Sequence, residues 1–153
     1  MVKSDDWRVG HPLVDAQHGA ILHLVGEVHR CVRERNAAAT RKALAALWDE
    51  TVGHFATEEA LMEEHAYPER NAHRTAHRLF LEDLEALLDE SAEQGLTEEV
   101  GAWALYRVPE WISFHIETND APLAKFIARK AAAGATPGRR GGAGARKPSH
   151  SDP

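Results

Sequence analysis

Residues 54–77 read HFATEEALMEEHAYPERNAHRTAH, and this stretch decides the fold. It holds two spaced pairs, His54-x-x-x-Glu58 and His73-x-x-x-His77. Four residues along an α-helix turn through about 400°, so the members of each pair share a face one turn apart. Each pair can therefore hold one metal ion from a single helix. Tyr67-Pro68 lies between the pairs, where Pro68 disfavours helix at Tyr67 and can itself open the next helix. Two helices joined by a tight turn run antiparallel, with both pairs facing one interior. The stretch predicts a metal site inside a helical bundle.

Outward from the turn, apolar residues extend both helices. Leu44, Leu47, Trp48, Thr51, Phe55, Leu61 and Met62 mark one face of a helix over 40–66, with Thr40 as its cap. Phe80, Leu81, Leu84, Leu87 and Leu88 continue the His73 face of a helix over 69–90. A first helix over 13–35 shows Leu13, Val14, Gln17, Ile21, Leu24, Val25 and Val28 at helical spacing, with His18 beside the stripe. Thr97-Glu98-Glu99 opens a fourth helix bearing Trp103, Tyr106, Trp111, Phe114 and His115, which Pro109 should kink or split. A short helical piece over 121–131 closes the fold. The expected architecture is all-α: an up-down-up-down four-helix bundle, preceded by an extended arm over 1–12.

The chain divides into a bundle domain, 1–131, and a tail, 132–153, rich in Gly, Pro, Ala and Arg. Lacking large apolar residues, the tail cannot build a core and is expected to be disordered. Six Lys/Arg fall in 129–153, leaving 12 basic and 23 acidic residues in 1–128, a net −11. An acidic body argues against nucleic acid as the folded part's partner. Cys31 is the sole cysteine, so no intramolecular disulfide forms. No apolar run reaches the roughly 18 residues of a membrane span, and the N-terminus has no signal-peptide core. A cytoplasmic location is the expectation.

Each helix brings ligand-type side chains inward: His18 from the first, His54 and Glu58 from the second, His73 and His77 from the third, His115 from the fourth. Asp120 lies five residues after His115. Five imidazoles and two carboxylates exceed the four ligands of a tetrahedral zinc and suit two octahedral ions sharing bridging carboxylates. Imidazole with carboxylate fits iron, manganese, nickel or zinc by softness, and the dinuclear count favours iron.

The whole ordered set resembles the hemerythrin family in its bacterial single-domain form. The matching pieces are Val9-Gly10 with Asp15-Ala-Gln17-His18, His54-Phe55-x-x-Glu58-Glu59-x-x-Met62, Tyr67-Pro68, His73-x-x-x-His77, and Trp111-x-x-x-His115-Ile116-x-x-x-Asp120. The resemblance implies a non-haem di-iron site. One iron would take His73, His77 and His115. The other would take His18 and His54 and keep an open position for dioxygen. Glu58 and Asp120 would bridge the two, with a solvent-derived oxo or hydroxo group. The implied function is reversible dioxygen binding, for carriage, storage or buffering, rather than catalysis. A module sensing oxygen, iron or nitric oxide, or a di-iron enzyme of peroxidase or nitric oxide reductase type, is the alternative. Bundle-type di-iron oxidases use about four Glu and paired Glu-x-x-His motifs, and this sequence has no Glu-x-x-His. Fewer anionic ligands stabilise high-valent iron less, which favours reversible binding.

Gln17, Glu59 and Asp15 stand near the ligands as candidate partners for their outer nitrogens. Met62 is a candidate wall of a dioxygen pocket and Trp111 points toward the same region, though core packing accounts for either. His23 faces elsewhere, and His29 and His65 lie about 16 Å along their helices from His18 and His54. Cys31 is expected to be a surface or rim thiol. Two departures from the family pattern stand out: Pro109 within the last helix, and Leu123 where tyrosine is common.

Overall fold

The computed structural model describes residues 7–135. Helices α1 (Pro12–Arg33), α2 (Ala37–Glu64) and α3 (Arg70–Gln94) are joined by tight turns and lead into a long α4 (98–134). Short connections force neighbours antiparallel, giving the up-down-up-down bundle. The disordered-tail expectation concerns 132–153: helix continues through Gly134, and 136–153 lie outside the described residues.

Each helix end has a local cause. His11 caps α1, its Nδ1 accepting from the Val14 N–H at 3.4 Å, and Pro12 supplies a preset φ at the first position. Asn36, not Thr40, caps α2 by accepting from the Ala39 N–H at 3.0 Å. Thr40 instead lies inside the helix, fully buried, and donates to the Asn36 carbonyl. Gly95, at φ +75°, ends α3 in a conformation that side chains disfavour.

Pro109 does not split α4, in which helix runs on through it. Helix α4 comprises α-helical Glu98–Ala102, a wider π-turn Trp103–Arg107, α-helical Val108–His115, a second π-turn Ile116–Asp120, and α-helical Ala121–Gly134. Proline lacks an N–H and its ring crowds the carbonyl four residues back. Both Pro109 and Pro122 stand two residues beyond a π-turn, whose closing bonds run from Val108 N–H to Trp103 O and from Ala121 N–H to Ile116 O. Each wide turn accommodates a proline without breaking the helix. Tyr106 and Phe114, on the same helix, are 69% and 63% exposed.

The main core joins Ile21, Val25 and Val28 of α1, Leu44 and Leu47 of α2, Leu84 and Leu87 of α3, and Val100 and Ile112 of α4. Cys31 is buried rather than at the surface, because it continues the stripe of Val28 and Val32. A smaller cluster of Met62, Tyr67 and Leu123, flanked by Phe126 and Ile127, closes the other end. Leu123 thus serves as packing. Leu13, expected on the α1 stripe, is half-exposed. No helix among the described residues is long and apolar enough to cross a membrane.

Candidate metal centre

Between the two apolar clusters lie all seven of the polar residues singled out from the sequence. His18, His54, Glu58, His73, His77, His115 and Asp120 are each at most 3% exposed. Glu58, His73, His77, His115 and Asp120 place donor atoms within 4.8 Å of one another, and so do His18, His54, Glu58 and Asp120. The two groups overlap at the carboxylates.

The contacts are short and all use imidazole Nε2. Asp120 Oδ2 lies 2.9 Å from His18, and its Oδ1 lies 3.1 Å from His73 and 3.0 Å from His115. Glu58 Oε2 lies 3.1 Å from His77, 3.3 Å from His73 and 3.5 Å from His54. His73 and His115 bring their Nε2 atoms to 3.2 Å of each other.

Outer contacts fix the tautomers of three rings. His18 Nδ1–H donates to the Trp7 carbonyl at 3.0 Å, His54 Nδ1–H to Gln17 Oε1 at 3.0 Å, and His77 Nδ1–H to Glu59 Oε1 at 3.0 Å. With a proton on Nδ1, Nε2 is the nitrogen that faces the interior, and it presents a lone pair there when the ring is neutral. Gln17 is in turn held by donating to Thr57 Oγ1 at 2.9 Å. Asp15 backs no imidazole. Its carboxylate accepts from the Val9 and Gly10 N–H groups at 2.7 and 3.1 Å, which fastens the arm that carries the Trp7 carbonyl.

Asp120 reaches the site because of the second π-turn. Five residues of α-helix would rotate it about 140° from His115. A turn closed over five residues returns it to the same face. Pro109 does not displace His115, which stacks on Trp111 with centroids 4.5 Å apart and planes 13° apart.

The electrostatics are those of acceptors converging on one region. Burial alone would raise the Asp120 pKa, but hydrogen bonds from His115, His18, His54 and His73 hold it well below the ordinary carboxylate value. Glu58 is likewise lowered, against burial, by His73 and His77. Burial disfavours a proton on His73, yet Asp120 and Glu58 outweigh it and push the pKa up to about 9. His18 is raised against burial by Asp120. His115 is lowered, burial prevailing over Asp120. Glu58 Oε1 is buried with no hydrogen-bond partner among the described residues. A cation between the rings would satisfy the lone pairs, both carboxylates and this oxygen together.

A void of about 10 Å³ adjoins the cluster, lined on its polar side by His18, His54, His115 and Asp120. Its other walls include Phe55, Phe80, Trp111 and Ile112. Met62 is not among them; it fills the opposite cluster. Thr51, read from the sequence only as part of an apolar face, also lines the void. Among the remaining histidines, His23 is exposed, and His29 lines a surface groove between α1 and α4. His65 ends α2, its carbonyl accepting from Lys130 at 2.6 Å.

The model of the hemerythrin HHE cation-binding domain matches residues 9–127. The chain is 29% identical over 128 residues to a bacteriohemerythrin of Stenotrophomonas maltophilia, covering 83% of this chain and 81% of the relative. It is 30% identical over 121 residues to the bacteriohemerythrin of Pseudomonas aeruginosa, covering 79% and 77%. A crystal structure of wild-type hemerythrin superimposes with a TM-score of 0.68 at 24% identity, over 76% of this chain and 88% of that one, a likeness of fold.

Proposed function

Since the chain belongs to the hemerythrin family, we propose that its seven convergent side chains hold two non-haem irons and that the centre binds dioxygen reversibly. The observation that carries this reading is the pair of overlapping donor groups sharing Glu58 and Asp120. His73, His77 and His115 would hold one iron, and His18 and His54 the other. Glu58 and Asp120 would bridge, which accounts for their place in both groups. An iron pair, when bound, supplies electrons to dioxygen and recovers them on release.

The protein's part is to orient and to exclude. Trp7, Gln17 and Glu59 keep three imidazoles in the tautomer whose lone pair faces inward. The mainly apolar void admits one small molecule and keeps bulk water from the donors. At about 10 Å³ it has no room for an organic substrate, which favours gas binding over the oxidase alternative. His18 and His54, the smaller imidazole set, border the void, from which a small ligand would reach the metal they would hold.

Optical titration of the iron-loaded, anaerobically reduced chain with dioxygen tests this. A visible band that appears with the gas and vanishes on its removal supports reversible binding. Rapid irreversible oxidation moves the assignment to a sensor or an enzyme. Uptake of far fewer than two irons per chain overturns the site.

A further inference from the structure

We propose that Thr51 donates a hydrogen bond to the small ligand occupying the void beside His18 and His54. This inference rests on the proposed function and names a further binding residue of that site.

Threonines within helices ordinarily return their hydroxyl to the carbonyl four residues earlier. Four others among the described residues do so: Thr40 to Asn36 at 2.8 Å, Thr57 to Gly53 at 3.1 Å, Thr75 to Asn71 at 3.0 Å and Thr118 to Phe114 at 2.7 Å. Thr97 accepts from the Val100 N–H at 3.1 Å as a helix cap. Thr51 differs. It is 2% exposed, and its Oγ1 is buried without a hydrogen-bond partner among the described residues. The Leu47 carbonyl one turn earlier is the acceptor it forgoes. A buried, unpartnered hydroxyl is costly, so its retention calls for an occasional acceptor.

The void supplies the place for one. Thr51 stands one turn before His54 and lines the void together with His18 and His54. Ile21, Phe55, Phe80, Ile112 and Ile116 line it too and offer no polar side-chain atom. An anionic ligand, or one that gains negative charge on its outer atom, becomes an acceptor there. The hydroxyl then favours such ligands over neutral ones of equal size. Its hydrogen bond is charge-assisted and shielded from water.

The test uses the full-length chain loaded with ferric iron, azide as the probe, and the variants Thr51→Val and Thr51→Ser. Thr51→Val keeps the shape and removes the hydroxyl; it should weaken azide binding about tenfold. Thr51→Ser should retain most of the affinity. In wild type and Thr51→Ser the bound-azide infrared stretch should shift on transfer to D₂O, and in Thr51→Val it should not. The metal-free Thr51→Val chain should melt no lower than wild type, because no folded-state hydrogen bond is lost. Equal azide affinity and an equal D₂O shift in Thr51→Val and wild type would overturn the inference, as would a melting temperature lowered in Thr51→Val with unchanged azide binding. Failure of the wild-type chain to load iron or bind azide overturns the underlying reading, and this inference with it.

Discussion

His115 and Asp120 are five residues apart in the chain, yet His115 Nε2 lies 3.0 Å from Asp120 Oδ1. The π-turn Ile116–Asp120 creates that contact, and Asp120 also touches His18 at 2.9 Å and His73 at 3.1 Å. One carboxylate therefore ties α4 to the histidines of α1 and α3. Asp120→Asn keeps its size and removes its charge. Iron affinity should fall by more than about 100-fold, beyond the loss typical of an outer partner. Exposed Glu117 lies in the same π-turn, and Glu117→Gln should leave uptake unchanged. Iron content after dialysis against graded chelator measures both.

Glu59 and Gln17 back their histidines differently. Glu59 offers a carboxylate to His77 Nδ1–H at 3.0 Å, and Gln17 a neutral amide oxygen to His54 at 3.0 Å. A carboxylate makes the imidazole a stronger donor. Glu59→Gln should lower metal affinity on the His73–His77–His115 side by about 10–100-fold. The midpoint potential of the iron-loaded centre should move positive, because ferric iron loses more donation than ferrous. Gln17→Glu should move it negative. Spectroelectrochemical titration reads both directions, and an unmoved potential in both variants would refute the asymmetry.

The bundle and the ligand-type pairs of its two central helices were legible because they rest on simple periodicities. His54/Glu58 and His73/His77 are four apart, and Pro68 marks the turn between them. Asp120 was counted with the ligand set by its place five residues after His115, although α-helical spacing turns it away from that ring. A π-turn leaves only a one-residue phase slip in the apolar pattern. Proline chemistry alone made Pro109 look like a break, because the wide turn before it is not visible in the pattern. Pro109 and Pro122, each two residues past a wide turn, were the available signal. Thr51 was hidden for another reason: burial of a threonine is visible in a pattern, but its missing hydrogen bond is not. Met62 lies two turns from His54, a spacing that points it at the same pocket, but packing against Leu123 carries it to the opposite cluster.

The arm before α1 contributes a backbone atom to the centre. Trp7 O accepts from His18 Nδ1–H at 3.0 Å, and Asp15 fastens the arm through the Val9 and Gly10 N–H groups. Asp15→Ala should cost about 1.5–3 kcal/mol, the range for hydrogen bonds to a charged group. It should also free the arm, so that trypsin cleaves after Arg8 faster than in wild type. Iron affinity on the His18–His54 side should drop about tenfold. Urea unfolding, timed proteolysis and chelator competition measure the three effects. Unchanged cleavage at Arg8 would show that Asp15 does not hold the arm.

The two carboxylates give the metal-free protein a particular pH dependence. Despite burial, Asp120 and Glu58 push His73 up to about 9 and raise His18. Unfolded histidine titrates near about 6.5. A proton held more tightly in the folded chain stabilises it fully below about 6.5, and that contribution is lost as pH rises through about 9. Asp120 and Glu58, lowered against burial by their histidine partners, act at the other end. Their contribution is complete above about 5 and fades as pH falls through the acid range. The melting temperature of the metal-free chain should therefore peak between about 5 and 6.5 and decline toward about 9. Metal binding requires the imidazole lone pairs, so loading must displace the His73 proton. The stabilisation conferred by metal should grow over the same interval in which the metal-free chain weakens. Calorimetric melting of both forms between pH 5 and about 9 measures the two trends. Replacing His73 with Asn should flatten the alkaline decline of the metal-free form, and an unchanged slope would refute a proton shared between His73 and the carboxylates.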